Sequence, residues 1–132
     1  MGLKKKNKKR CKEKHARVHG DARRELILRI VASDKLFCNK QSPAGEFYEG
    51  PCIHCNAVIV VELDGSSLAT VEHIVPLTAG GSSTDVANLA LACSRCNNEK
   101  GIRHDQSYKR EQRSTDVIDS LLKKREKRLT HV

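Results

Sequence analysis

Four of the six cysteines stand in two C-x-x-C pairs, Cys52 with Cys55 and Cys93 with Cys96. Two intervening residues let each pair present both sulfurs to one ion, so the spacing predicts a single tetrahedral zinc held by four thiolates. Such a closed shell leaves no open position for a substrate, which makes the zinc structural. In a reducing compartment, paired C-x-x-C motifs indicate a metal site rather than disulfides. Cys11 and Cys38 lack partners at ligand spacing and read as free thiols. Between the pairs lies Glu72-His73, three residues before Pro76. An imidazole titrates near neutrality and suits the removal of a proton from water. A neighbouring carboxylate and side-chain amides are hard oxygen ligands for magnesium or manganese. His54, inside the first pair, reads as an exposed residue rather than a fifth ligand, and His15, His19 and His131 as solvated side chains of charged tails.

The run Val71-Glu72-His73-Ile74-Val75-Pro76-Leu77, then Gly80-Gly81, Asn88-Leu89 and Cys93-Ser-Arg-Cys96-Asn97-Asn98-Glu99-Lys100-Gly101, resembles the HNH endonuclease family in a His-Asn-Asn form. The likeness covers about residues 50–104 and includes both knuckles and the motif residues in order. It implies a small α+β fold: a ββα-metal (His-Me finger) nuclease core with structural zinc and flanking N- and C-terminal helices. It further implies that His73 is the general base, that Asn88 orients it and fixes the loop, and that Asn97 contributes to a catalytic magnesium or manganese site. Glu72 stands where the family usually has a metal-binding aspartate; its longer side chain keeps the charge and shifts where an ion would sit. Phosphodiester hydrolysis needs these parts: a proton acceptor for water, a cation for the charge building on phosphate, and help for the departing oxygen. The family's products are a 5′-phosphate and a 3′-hydroxyl.

These groups must be positioned by little apolar material. Hydrophobic residues make up 38% of the 132, with two Phe, two Tyr and no Trp, so the core is predicted to be small and the zinc to supplement it. A helix is expected over 21–33, with Leu26, Ile27, Ile30 and Val31 on one face and Arg23, Arg24 and Arg29 largely off it. Residues 34–50, with Pro43 and Gly45, read as a loop. Ala57 to Leu63 reads as a strand, Asp64-Gly65 as a tight turn, and Ser67 to Ile74 as its hairpin partner. Because neighbouring strand residues point to opposite faces, Glu72 and His73 share a substrate only if the strand ends or bends there, and Pro76 favours an ending. The second knuckle should open a short helix through Asn97 and Lys100, stopped by Gly101. A last helix, capped by Ser114 or Thr115, should bury Val117, Ile118, Leu121 and Leu122 and place its basic end at the negative pole of its dipole.

The division expected is a basic tail over 1–20, helix and loop over 21–49, the nuclease domain over 50–104 and a basic C-terminal helix over 105–132. The net charge of +9 is segregated. Residues 1–17 carry nine Lys/Arg against Glu13 alone, residues 103–128 nine against five acids, and the stretch between seven against ten. Basic arms around an acidic centre suit phosphate binding at the periphery, here through Lys4, Lys5, Lys6, Lys8, Lys9, Arg10, Arg95, Lys100 and Arg103. Lysine tracts supply charge without a base-edge code, so the expected partner is DNA with weak sequence preference. The scarcity of aromatics disfavours a single-strand stacking platform and favours a duplex. No signal peptide or membrane span is apparent, and a cytoplasmic, nucleoid-associated protein is expected, alone or within a larger complex. Two other readings stand beside the DNA nuclease: a non-catalytic zinc module that binds nucleic acid, and a nuclease acting on RNA or structured DNA.

Overall fold

The computed structural model describes residues 20–96 and 115–130. Residues 20–32 form helix α1, whose apolar stripe buries Ile27, Ile30 and Val31 with Leu26 partly covered, as the periodicity predicts. Three strands follow in one antiparallel sheet: β1 (Cys38–Ser42), β2 (Gly45–Pro51) and β3 (Val58–Glu62), in the order β1-β2-β3. Two further strands, β4 (Thr70–His73) and β5 (Leu89–Ala92), form a separate antiparallel ladder. Helix α2 (Thr115–Arg128) closes the described chain. This is a small α+β architecture with antiparallel strands and flanking helices, consistent with an HNH core.

Two expectations about the strands are corrected. The stretch 34–50 is largely a hairpin rather than a loop, with β1 pairing β2 from Cys38↔Glu49 to Ser42↔Gly45. Strand β3 pairs with β2, not with the segment after Asp64-Gly65, which pairs with β5. The Asp64-Gly65 turn does form, with Gly65 N–H donating to the Glu62 carbonyl at 2.9 Å. Gly65 has φ +91° and lies so close to the Arg24 backbone that a Cβ would collide with it. The turn therefore docks on α1 and sends the chain across to a second ladder.

Strand β5 is buried along its whole length because both its faces are covered. Leu89 and Leu91 join the cluster of Ile27, Ile30, Ile59 and Val61 on the α1 side. Ala90 joins Ile53, Ile74 and Leu121 on the α2 side, with Ile118 and Leu122 against them. Val117, expected in this core, is 47% exposed.

Helix α2 is fastened by charge as well as by apolar contact. Arg125 (0% exposed) and Arg128 (4%) converge on the buried carboxylate of Asp34 (4%) at the end of α1. Arg125 Nη1 donates to Asp34 Oδ2 at 3.1 Å and Arg128 Nε to the same oxygen at 3.0 Å. Arg125 also donates from Nη2 to Ser33 Oγ at 2.8 Å and from Nε to the Val86 carbonyl at 3.1 Å, and Arg128 from Nη2 to the Pro51 carbonyl at 2.7 Å. The backbone joins in: Lys35 N–H donates to Arg128 at 2.6 Å and Thr130 N–H to Ser33 at 2.9 Å. Burial works against the Arg125 charge and lowers its pKa, while Asp34 opposes that shift. Two of the basic residues at the end of α2 are thus spent inside the protein, away from any phosphate.

Candidate metal centre and nuclease site

The first knuckle begins as β2 ends, and the second begins as β5 ends, so the two sheets deliver the four sulfurs to one place. Ile53 N–H donates to the Leu91 carbonyl at 3.0 Å, tying the first knuckle to β5. All four sulfurs lie within 4.8 Å of one another, with Cys52 to Cys96 at 3.9 Å and Cys55 to Cys93 at 3.7 Å. A tetrahedral zinc with bonds of about 2.3 Å requires sulfurs about 3.8 Å apart, so the four cysteines are placed to bind it. Backbone N–H groups point at the sulfurs in the manner of a metal knuckle: His54 and Cys93 onto Cys52 at 3.4 and 3.3 Å, Ala57 onto Cys55 at 3.4 Å, and Cys96 onto Cys93 at 3.4 Å.

The thiols respond unequally to this crowding. Burial raises the Cys52 thiol, but backbone hydrogen bonds from Cys55, Cys93 and His54 outweigh it and bring it down to about 6. Cys96 is pushed up, first by burial and then by its hydrogen bonds with the other sulfurs. Without a cation the second and later thiolates form against the first; a divalent ion removes that conflict, as expected of a metal shell.

Strand β4 ends at His73, in keeping with the ending expected before Pro76. Its alternation gives Glu72 and His73 opposite sides of the strand. His73 pairs across the ladder with Leu89 and lines a cleft of about 410 Å³ with Ala22, Arg23 and Leu26 of α1. Arg23, whose Nη2 donates to the Ala69 carbonyl, is a lining cation that no sequence pattern marked. Glu72 is 6% exposed, and its Oε1 lies 3.7 Å from His54 Nε2. His54, read from sequence as exposed, is instead half-buried and turned toward this carboxylate.

Asn88 is buried and its amide grips the loop leaving His73. Its Oδ1 accepts from Val75 N–H at 2.8 Å, and its Nδ2 donates to the carbonyls of Val75 at 3.1 Å and Ser82 at 2.9 Å. Gly81 completes the packing, since a Cβ there would collide with the Val75 carbonyl. Gly80, at φ +86°, ends the short 3-10 turn Leu77–Ala79. Arg95 is exposed on the helical residues 94–96. Asn97, Lys100, Arg103 and the tail residues Lys4, Lys5, Lys6, Lys8, Lys9 and Arg10 lie outside the described residues, as do Cys11, His15, His19 and His131.

Comparison with known families agrees with this geometry. Residues 52–103 match the family model described as HNH endonuclease. The match begins at the first zinc-knuckle cysteine and takes in both knuckles, β4, β5 and Asn88. No curated protein and no solved structure matches the chain. No helix among the described residues is long and apolar enough to cross a membrane.

Proposed function

We propose that the chain is a metal-dependent HNH endonuclease that hydrolyses phosphodiester bonds of DNA. The observation that carries this reading is the union of the HNH match with a four-sulfur staple clamping the ends of the segment that holds His73. A staple alone would suit a binding module; a histidine at a strand's end, in an open cleft and beside a carboxylate in sequence, suits turnover.

In this reading His73 takes the proton from the attacking water. Asn88 acts as a positioning residue, holding the backbone two residues beyond His73. Glu72 and Asn97 would hold the catalytic ion. A magnesium or manganese ion there supplies positive charge against the charge growing on the phosphate. Arg23 adds a fixed cation on the His73 side, and the basic arms grip neighbouring phosphates with little regard to sequence, which suits a duplex.

A supercoiled-plasmid assay with magnesium, manganese or EDTA tests the proposal. Wild type should nick with a metal and not with EDTA. His73→Ala should lower the rate by about 10²- to 10⁴-fold, the usual worth of a general base, while leaving zinc content and DNA binding intact. Binding without nicking under every metal would instead make this a non-catalytic zinc module, and cleavage confined to RNA would reassign the substrate.

A further inference from the structure

The first knuckle does more than supply two sulfurs. We propose that His54 is a ligand of the catalytic divalent ion, joining Glu72 in a mixed nitrogen and oxygen site. This rests on the reading above, in which Glu72 holds that ion.

Distance is the first support. His54 Nε2 and Glu72 Oε1 are 3.7 Å apart, beyond the 2.7–3.2 Å range of an N–H···O hydrogen bond. Two ligand atoms each about 2.1 Å from one ion lie about 3.0 Å apart at a right angle and about 3.6 Å apart at 120°. The observed spacing lies within the span open to two ligands of one ion, from about 3.0 Å at a right angle to about 4.2 Å in line, so side-chain adjustment alone can bring both onto it.

Placement is the second. Glu72 is more than nine-tenths buried, on the face of the ladder whose apolar neighbours are Ile74 and Ala90. Ala90 stands directly opposite Glu72 in the ladder and adds only a methyl group there. Ile53, the residue before His54, is fully buried in this cluster and bonded to β5, so the imidazole is carried on a fixed backbone. The zinc staple therefore sets one wall of the catalytic site directly, through a residue between its own first two ligands.

An imidazole ligand selects among metals. Magnesium prefers an all-oxygen octahedral shell, whereas manganese, cobalt and nickel accept nitrogen readily. The test uses the full chain with its zinc and manganese as the probe. Pulsed electron paramagnetic resonance of the bound manganese should show nitrogen coupling in wild type. His54→Gln should lose that coupling and weaken manganese affinity about tenfold or more, while His73→Ala keeps both. Zinc content and circular dichroism verify that the variants fold. Absence of nitrogen coupling in wild type, its survival in His54→Gln, or its loss in His73→Ala alone would overturn the proposal, and the first of these needs no variant. Plasmid nicking by a wild type without nitrogen coupling sinks this site and leaves the nuclease standing. Nitrogen coupling without nicking does the reverse.

Discussion

Asn88 spends its whole amide on main chain, and that choice has a measurable consequence. Three hydrogen bonds join it to Val75 and Ser82, so its loss strands buried polar groups just after His73. Asn88→Ala should destabilise the protein by about 1–3 kcal/mol in urea unfolding and slow nicking more than it weakens DNA binding. Asn88→Asp keeps the acceptor but loses the donors to both carbonyls, and should recover only part of the loss. At this scale the sequence was legible where spacing carries the message. The cysteines announce themselves by C-x-x-C repetition. His54 and Arg23 could not be found that way, since the groups they meet, Glu72 and the His73 cleft, are far away in the chain and only the fold brings them near.

Among the elements, α1 and α2 were readable from their apolar period. The β1–β2 hairpin was not. Every residue of β1 is exposed, so no alternation of apolar and polar residues marks it. The partner of β3 is not legible in sequence, because a turn signal reports a reversal, not which strand receives it. Arg125 and Arg128 look in sequence like any basic helix end, and their burial depends on Asp34, which precedes them by most of the chain. That pairing predicts a large effect from a nearly isosteric change. Asp34→Asn leaves two buried guanidinium groups without their counterion and should cost about 3–5 kcal/mol, read as a shift of the urea midpoint. Lys123→Gln, on the exposed side of the same helix, should change stability by no more than about 0.5 kcal/mol.

For the molecule as a whole, the placement of the four cysteines predicts that zinc binding and folding are one event. The sulfurs bind one ion only when β2, β5 and both knuckles are in place, so binding energy is folding energy. A chelator strong enough to remove zinc should abolish the cooperative thermal transition, and zinc, but not magnesium, should restore it. Differential scanning calorimetry with and without zinc decides this. Cys96→Ser should behave in the same way as chelation.

Asp34 comes before all four sulfur ligands, and Arg125 and Arg128 come after them. The chain is therefore closed twice, as two concentric rings: an inner one whose ends meet at the four sulfurs, from Cys52 to Cys96, and an outer one sealed by charge from Asp34 to Arg128. Each closure shortens the search for the other, because ends already gathered lose less freedom on meeting again. An excised inner ring would bare Ile53, Ile74 and Ala90, which Leu121 now covers. The HNH stretch is thus half of a bargain, and its smallest autonomous version includes the clasp that surrounds it.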